Sequence, residues 1–200
     1  MANVKVVVLA AGKKGPARTE AMGTLRRTIA LIGMMGAGKS SVGRRLAARL
    51  DVPFHDSDVE IEAAAGCAIA EIFERFGESA FRAGERKVIA RLLREPPHIM
   101  ATGGGALTDP ATRAQIAAET FSIWLKAPVE LLVARVIRRQ SRPLLLQGNP
   151  RETIHRLLSE REPIYALADL TIEAEDSPHP AMVERILAAL SERSLVTAHD

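Results

Sequence analysis

Residues 31–47 read LIGMMGAGKSSVGRRLA, in which an apolar stretch is followed by a glycine-rich turn and then by a basic, amphipathic segment. Within it, Gly33-x-x-x-x-Gly38-Lys39-Ser40 matches the phosphate-binding loop pattern at every fixed position. Glycines allow backbone N–H groups to converge on an anion, and the following helix adds the positive end of its dipole. We expect Lys39 to reach the β- and γ-phosphates of a nucleotide and the Ser40 hydroxyl to coordinate Mg²⁺. The alternative is a glycine-rich turn that binds no ligand.

Beyond this loop, short apolar segments alternate with longer helical ones. Strands are predicted over residues 28–33, 53–55, 98–101, 121–125 and 169–173. Helices are predicted over residues 39–50, 69–76, 78–94, 110–118, 129–139, 151–167 and 180–190, with a further helical run that ends at residue 65 and a polar loop over 140–150. This alternation requires crossover connections, so we predict a single α/β domain with a five-stranded parallel sheet sandwiched by helices.

The composition is typical of a soluble globular protein, because 47% of the 200 residues are hydrophobic and 26% are charged. No apolar run reaches the roughly 18 to 20 residues that a membrane-spanning helix needs, so we expect no association with a membrane. Cys67 is the only cysteine, which excludes an internal disulfide and favours a reducing, cytoplasmic location.

The basic charge of the chain is concentrated near its N-terminus. Residues 1–28 contain six lysines and arginines against one glutamate, a formal charge of +5, whereas the whole chain carries +3. The rest of the chain is therefore slightly acidic, and one tryptophan and one tyrosine offer little surface for stacking on bases, so no nucleic acid partner is expected. We interpret residues 1–27 as a basic, poorly ordered extension, 28–192 as the folded domain and 193–200 as a tail, with Met22 as an alternative translation start.

Several polar groups follow predicted strands, at the edge of the sheet where α/β proteins bind ligands. Asp56-Ser57-Asp58 follows the second strand, and Gly103-Gly104-Gly105 follows the third and leaves its backbone open. Arg82 and Glu85 are three residues apart, so they share a helix face. The simpler explanations are helix capping for the aspartates and a surface ion pair for Arg82 and Glu85.

Two further arginines lie in the C-terminal half of the chain. Arg142 belongs to SRPLLL in the polar loop, and Arg161 belongs to SEREPIY. A plain surface turn and an ion pair with a neighbouring glutamate are their simpler explanations. The Asn-Lys-x-Asp stretch by which GTPases read guanine is absent, and the polar groups together indicate an acceptor site for a small anion.

The order of these motifs is more specific than any one of them. GMMGAGKSSVGRRLA, HDSDVEIE, GESAFRAGE, TGGGA, RPLL and SEREPIY, in that order, closely resemble the shikimate kinase family over residues 29–190. The resemblance implies a nucleoside-monophosphate-kinase-like fold with a mobile lid and a substrate-binding helical segment. It also implies transfer of the γ-phosphate of ATP, with one Mg²⁺ ion, to the 3-hydroxyl of shikimate on the chorismate route to aromatic amino acids. We expect the protein to act as a monomer.

On the nucleotide side, the resemblance implies a role for each matching residue. Lys39 and Arg142 are catalytic groups at the phosphates, and Arg142 would stabilise charge on the transferring phosphoryl group from the lid. Ser40 would bind Mg²⁺, and Asp56 would lie near the metal through water. Arg135 would pack on adenine. The phosphates would be held by the backbone of Gly36, Ala37, Gly38, Lys39, Ser40 and Ser41.

On the acceptor side, the resemblance implies that Asp58 contacts the ring hydroxyls and takes the proton from the attacking oxygen. Arg82 and Arg161 would hold the carboxylate, Glu85 would orient Arg82, and the backbone of Gly103-Gly104-Gly105 would line the site. These roles agree with physical chemistry, because two planar guanidinium groups suit a carboxylate and a carboxylate accepts hydrogen bonds from hydroxyls. A related enzyme such as gluconate kinase and a non-catalytic nucleotide-binding module remain as alternatives.

Overall fold

The computed structural model describes residues 24–139, 149–174 and 179–197, which form a parallel sheet with helices packed against it. The strands are β1 (Ile29–Ile32), β2 (Phe54–Asp56), β3 (Ile99–Ala101), β4 (Phe121–Lys126) and β5 (Leu170–Glu173). The helices are α1 (Lys39–Leu50), α2 (Ser57–Ala65), α3 (Ile69–Leu92), α4 (Pro110–Glu119), α5 (Val129–Arg139), α6 (Pro150–Tyr165) and α7 (His179–Glu192), and a short 3₁₀ turn spans Ala106–Thr108.

The five strands lie in the order β2-β3-β1-β4-β5, and every pairing is parallel, which confirms the predicted sheet. The central strand is β1, in which Ile29 pairs with both Ile99 and Phe121. All four residues of β1 are buried. Because β1, β2 and β3 are neighbours, their carboxyl ends meet at one edge of the sheet. The residues that follow these three strands are therefore brought together.

The apolar spacing of α1 accounts for its packing. Val42, Leu46 and Leu50 recur at intervals of four residues, lie on one face and are buried. The helix also packs against α7 and β3, so its apolar face joins the main core. This packing fixes the N-terminus of α1, and with it Lys39 and Ser40, at the carboxyl edge of the sheet.

Most predicted elements are confirmed, with shifts of one or two residues at their ends. The predicted break between two helices at residue 77 is present as a kink in α3, where Gly77 has φ 76° and ψ 175°. Strand β2 begins and ends one residue later than predicted and includes Asp56, whose carboxylate accepts a hydrogen bond from the backbone N–H of Asp58 at the start of α2. Helix α6 begins one residue early, at Pro150, because Asn149 caps its first turn.

The described chain extends slightly beyond the predicted domain at both ends. Leu25 and Val196 form an antiparallel bridge, and both side chains belong to the core. Residues 24–27 and 193–197, predicted as parts of an extension and a tail, are therefore in contact through this bridge. The rest of those two segments, and the expectation about Met22, lie outside the described residues. None of the described helices combines enough length and apolarity to traverse a bilayer.

A pair of leucine substitutions tests the role of α1 in the core. Leu46 has no exposed surface, whereas Leu167 is 73% exposed just beyond α6. We expect Leu46→Ala to lower the free energy of unfolding by about 2 to 5 kcal/mol, because it leaves a cavity, and Leu167→Ala to change it by less than about 0.5 kcal/mol. Urea unfolding followed by circular dichroism measures both. Equal effects of the two substitutions would contradict this packing.

Candidate active site

The segment after β1, residues 33–40, is here called the phosphate loop; it includes the first two residues of α1 and follows a path that requires glycine. Gly33, Gly36 and Gly38 have φ values of 130°, 82° and 100°, which side chains strongly disfavour. A Cβ atom at Gly33 would also lie 2.8 Å from the backbone oxygen of Leu125 on β4. The loop is therefore held close to the sheet, with its backbone turned toward the cleft above the strand ends.

The Lys39 side chain folds back over the phosphate loop. Its Nζ donates hydrogen bonds to the backbone oxygens of Gly33, at 2.8 Å, and Met34, at 2.9 Å, and the residue is almost completely buried. Lys39, Gly36 and Gly38 line a cleft of about 190 Å³. The lysine therefore places a positive charge at the base of this cleft, where the sequence predicted the nucleotide phosphates.

Ser40 and Asp56 meet across the same cleft. The Ser40 hydroxyl, in the first turn of α1, donates a hydrogen bond of 2.5 Å to the Asp56 carboxylate at the end of β2. Both side chains line the cleft, and both offer the oxygen ligands that Mg²⁺ prefers. The predicted helix-capping role of Asp56 is also present, so one carboxylate serves both purposes.

The segment Gly103-Gly104-Gly105, here called the glycine turn, follows β3 and is where three predicted side chains converge. A Cβ atom at Gly103 would lie 2.6 Å from an oxygen of Asp58 and 3.1 Å from an oxygen of Glu85. One at Gly105 would lie 2.6 Å from a guanidinium nitrogen of Arg82. The side chains can approach this closely only because the turn has no side chains of its own.

A fourth predicted side chain, that of Arg161 on α6, also contacts the glycine turn. Its Nη1 donates a hydrogen bond of 3.1 Å to the backbone oxygen of Gly104. A Cβ atom at Gly104 would lie 3.7 Å from that nitrogen and 3.3 Å from the backbone nitrogen of Met35. The glycine turn therefore contacts both Arg82 and Arg161 and abuts the phosphate loop.

Arg82 and Glu85 form an ion pair that is only partly a surface feature. The Arg82 guanidinium donates to Glu85 at 2.6 Å and also lies 3.2 Å from Glu78, while Glu85 itself is only 1% exposed. Burial raises the pKa of Glu85, and the hydrogen bond from Arg82 opposes that shift. Among the described residues, the Glu85 Oε1 atom has no hydrogen-bond partner and lies beside Gly103. This buried oxygen therefore has an unused capacity to accept a hydrogen bond.

The remaining predicted site residues lie along α5 and in the segment after it. Arg135 lines the cleft, and its Nη1 donates a 3.3 Å hydrogen bond to the backbone oxygen of Gly36. It is therefore beside the phosphate loop, as expected for a residue near the nucleotide. Arg142 and most of the predicted lid lie outside the described residues, so the role of Arg142 stays a prediction.

Sequence reasoning missed several residues that shape the site. The Ser57 hydroxyl is buried and accepts a 2.9 Å hydrogen bond from the backbone N–H of Gly103, and its position between two aspartates was the available clue. Val59 and Glu62 also line the cleft from α2, where Glu62 follows Asp58 by one helical turn and Val59 is its neighbour in sequence. Tyr165 lies one helical turn after Arg161 on the same face of α6, and its hydroxyl donates to the backbone oxygen of Gly104.

A phosphate loop beside paired arginines and carboxylates, at the carboxyl edge of a parallel sheet, is the arrangement of a nucleotide-dependent phosphotransferase for a small anionic acceptor. Comparisons with known proteins identify the family. The family model described as shikimate kinase matches residues 35–191, so the chain belongs to the shikimate kinase family.

Individual relatives agree with this assignment. Over 168 residues the chain is 56% identical to a shikimate kinase of Paramagnetospirillum magneticum, covering 84% of this chain and 86% of that protein. It is 57% identical over 164 residues to one of Bradyrhizobium diazoefficiens, covering 82% and 79% of the two chains. The structure of shikimate kinase from Acinetobacter baumannii in complex with shikimate is similar with a TM-score of 0.80 at 37% identity, covering 88% of this chain and 96% of that one.

Proposed function

We propose that the protein transfers the γ-phosphate of ATP to the 3-hydroxyl of shikimate and so supplies the chorismate route to aromatic amino acids. The observation that carries this proposal is the convergence of Asp58, Arg82 and Arg161 on the glycine turn, next to the phosphate loop. Membership of the shikimate kinase family and similarity to a relative in complex with shikimate support it.

The acceptor carboxylate would be held by Arg82 and Arg161. Their guanidinium groups lie at adjacent residues of the glycine turn, Arg82 at Gly105 and Arg161 at Gly104, and each presents a planar fork that can donate two hydrogen bonds to a carboxylate. Arg82 is held in place by Glu85 and Glu78, so little of its freedom remains to be lost on binding. The buried Glu85 oxygen and Asp58 would accept hydrogen bonds from ring hydroxyls.

Asp58 is the group that we assign to proton transfer. The oxygen of the 3-hydroxyl forms a bond to the γ-phosphorus, the bond from that phosphorus to the bridging oxygen of ADP breaks, and the hydroxyl proton passes to the Asp58 carboxylate. Asp58 lines the same cleft as Lys39, so the acceptor and the phosphates share one space. Lys39 would stabilise negative charge on the phosphates with its buried ammonium group.

The oxygens of Ser40 and Asp56 fit the Mg²⁺ ion that this activity implies, with Asp56 acting through water. No cluster of three or more histidine, cysteine, aspartate or glutamate side chains suited to a metal occurs in the described part of the chain, so phosphate oxygens and water would complete the coordination. When bound, the ion would neutralise charge on the β- and γ-phosphates. Arg135 would contact adenine, and Arg142 would approach the transferring phosphoryl group from the lid.

The direct test is release of ADP from purified protein with ATP and Mg²⁺, in the presence and absence of shikimate. We expect release to depend on shikimate and on Mg²⁺, and shikimate 3-phosphate to accumulate. A panel containing gluconate and other small polyols should give much lower kcat/KM values. Tight binding of ATP with no shikimate 3-phosphate formed would contradict the proposal and favour a non-catalytic module.

Two arginines of α6 provide a matched test of the carboxylate site. Arg161 lies at the glycine turn, whereas Arg156 is 64% exposed and pairs with Glu160 on the helix surface. We expect Arg161→Ala to raise the KM for shikimate at least about tenfold, since hydrogen bonds to charged groups contribute about 1.5 to 3 kcal/mol. The KM for ATP should change little, and Arg156→Ala should change neither constant. Equal KM values for the two variants would remove Arg161 from the site.

Two glycines provide a matched test of the close approach at the glycine turn. A Cβ atom at Gly103 would displace Asp58 and Glu85, whereas one at Gly84, in α3, would meet no atom within 4 Å. We expect Gly103→Ala to lower kcat/KM for shikimate at least about tenfold, because moving the proton acceptor removes general-base catalysis that is typically worth 10²–10⁴-fold.

The Gly84→Ala variant should retain full activity and be slightly more stable, because alanine favours the helix. Thermal unfolding and steady-state kinetics of both variants separate these effects. Full activity in Gly103→Ala would show that its neighbours are not catalytic.

A further inference from the structure

Tyr165 is a buried polar residue that the proposed mechanism does not use. It is the last residue of α6, is 2% exposed, and its ring lies 5.9 Å from that of Trp124 on β4. Its hydroxyl donates a hydrogen bond to the backbone oxygen of Gly104 and lies 3.7 Å from the sulfur of Met34. The side chain therefore touches both the glycine turn and the phosphate loop.

The backbone oxygen of Gly104 accepts two hydrogen bonds, one from Tyr165 and one from Arg161. A carbonyl oxygen has two lone pairs, so these donors satisfy it completely. Because the donors are one helical turn apart on α6, the hydroxyl fixes the carbonyl in the position that the guanidinium needs. The hydroxyl is protonated at neutral pH, and burial raises the pKa of Tyr165 further while Arg161 opposes that shift.

The same contacts set the distance between the sites for the two substrates. The position of a Cβ atom at Gly104 is 3.3 Å from the backbone nitrogen of Met35 and 3.6 Å from the backbone oxygen of Gly33. Met34, a buried residue of the phosphate loop, lies against the Tyr165 hydroxyl. A shift of Gly104 would therefore move the acceptor side of the site relative to the phosphate loop.

We infer that Tyr165 is a positioning residue for the acceptor, which holds Arg161 in its binding orientation through their shared hydrogen-bond acceptor, the Gly104 carbonyl. Tyr165 does not itself contact the substrate. The inference rests on the proposed function, since it assigns Arg161 to the shikimate carboxylate. It extends that function to a residue one turn away, whose loss should weaken acceptor binding selectively.

The test replaces Tyr165 with phenylalanine, which removes the hydroxyl and retains the ring. We expect Tyr165→Phe to raise the KM for shikimate about three- to tenfold, which is the range of effect typical of the loss of one neutral hydrogen bond. The KM for ATP should stay within about twofold, since the hydroxyl holds the acceptor side of the site.

Thr120→Val is the matched control for loss of a buried hydroxyl. The Thr120 hydroxyl is buried at the start of β4, away from the cleft, and donates a 2.7 Å hydrogen bond to the backbone oxygen of Ile116. We expect this variant to have a lower Tm and unchanged KM values. If Tyr165→Phe behaves in the same way, its role is structural only and the inference is wrong. An equal rise in the KM for shikimate and the KM for ATP in Tyr165→Phe would also overturn the inference.

A double variant tests the route through Arg161. In an Arg161→Lys background, the additional effect of Tyr165→Phe on the KM for shikimate should be smaller than in the wild type, because the two residues act through one carbonyl. Full additivity would overturn the inference. Should Tyr165→Phe fold poorly, Tyr165→Met keeps most of the volume and repeats the measurement.

The outcomes also separate this inference from the proposed function. Wild-type protein that does not phosphorylate shikimate would end the proposed function. Normal wild-type turnover with an unchanged KM for shikimate in Tyr165→Phe would end the inference about Tyr165 alone.

Discussion

The absence of side chains at three consecutive positions, Gly103 to Gly105, is the constraint on which the site depends. A Cβ atom at the first would meet Asp58 and Glu85, and one at the third would meet Arg82. One at the middle position would crowd the phosphate loop. A turn of three larger residues could still follow β3, but the charged groups would be pushed apart. The site is therefore built around a stretch of backbone that has no side chains.

Burial and the topology of the sheet hold the charged side chains of the site in fixed positions. Glu85 is nearly inaccessible, and an unpaired carboxylate in such a place would cost several kcal/mol, so Arg82 is held against it. The parallel sheet contributes by placing the ends of β1, β2 and β3 side by side. Helix α6 then supplies Arg161 and Tyr165, which both donate to the backbone oxygen of Gly104. Charged groups from distant parts of the sequence thus meet at the glycine turn before any ligand binds, which lowers the entropic cost of recognition.

Much of the fold and the nucleotide side of the site could be predicted from local sequence. The phosphate loop is a short motif with its own geometry, and the alternation of strands and helices indicated a five-stranded parallel sheet, which the structure confirms. The interruption of helix α3 at Gly77 could also be predicted, because it depends on the backbone angles of a single residue. In each case the physical cause lies within a few residues of the feature.

The contacts that complete the acceptor side could not be predicted from spacing, because they join residues far apart in the chain. Tyr165 and Gly104 are separated by 61 positions, and Ser57 and Gly103 by 46. The central claim, that Arg82 and Arg161 share one carboxylate beside the phosphate loop, is tested most directly by a crystal structure with shikimate and Mg·ADP. The account predicts the carboxylate between these arginines and the 3-hydroxyl near Asp58, facing the phosphate loop. Shikimate bound with its carboxylate away from either arginine would contradict it.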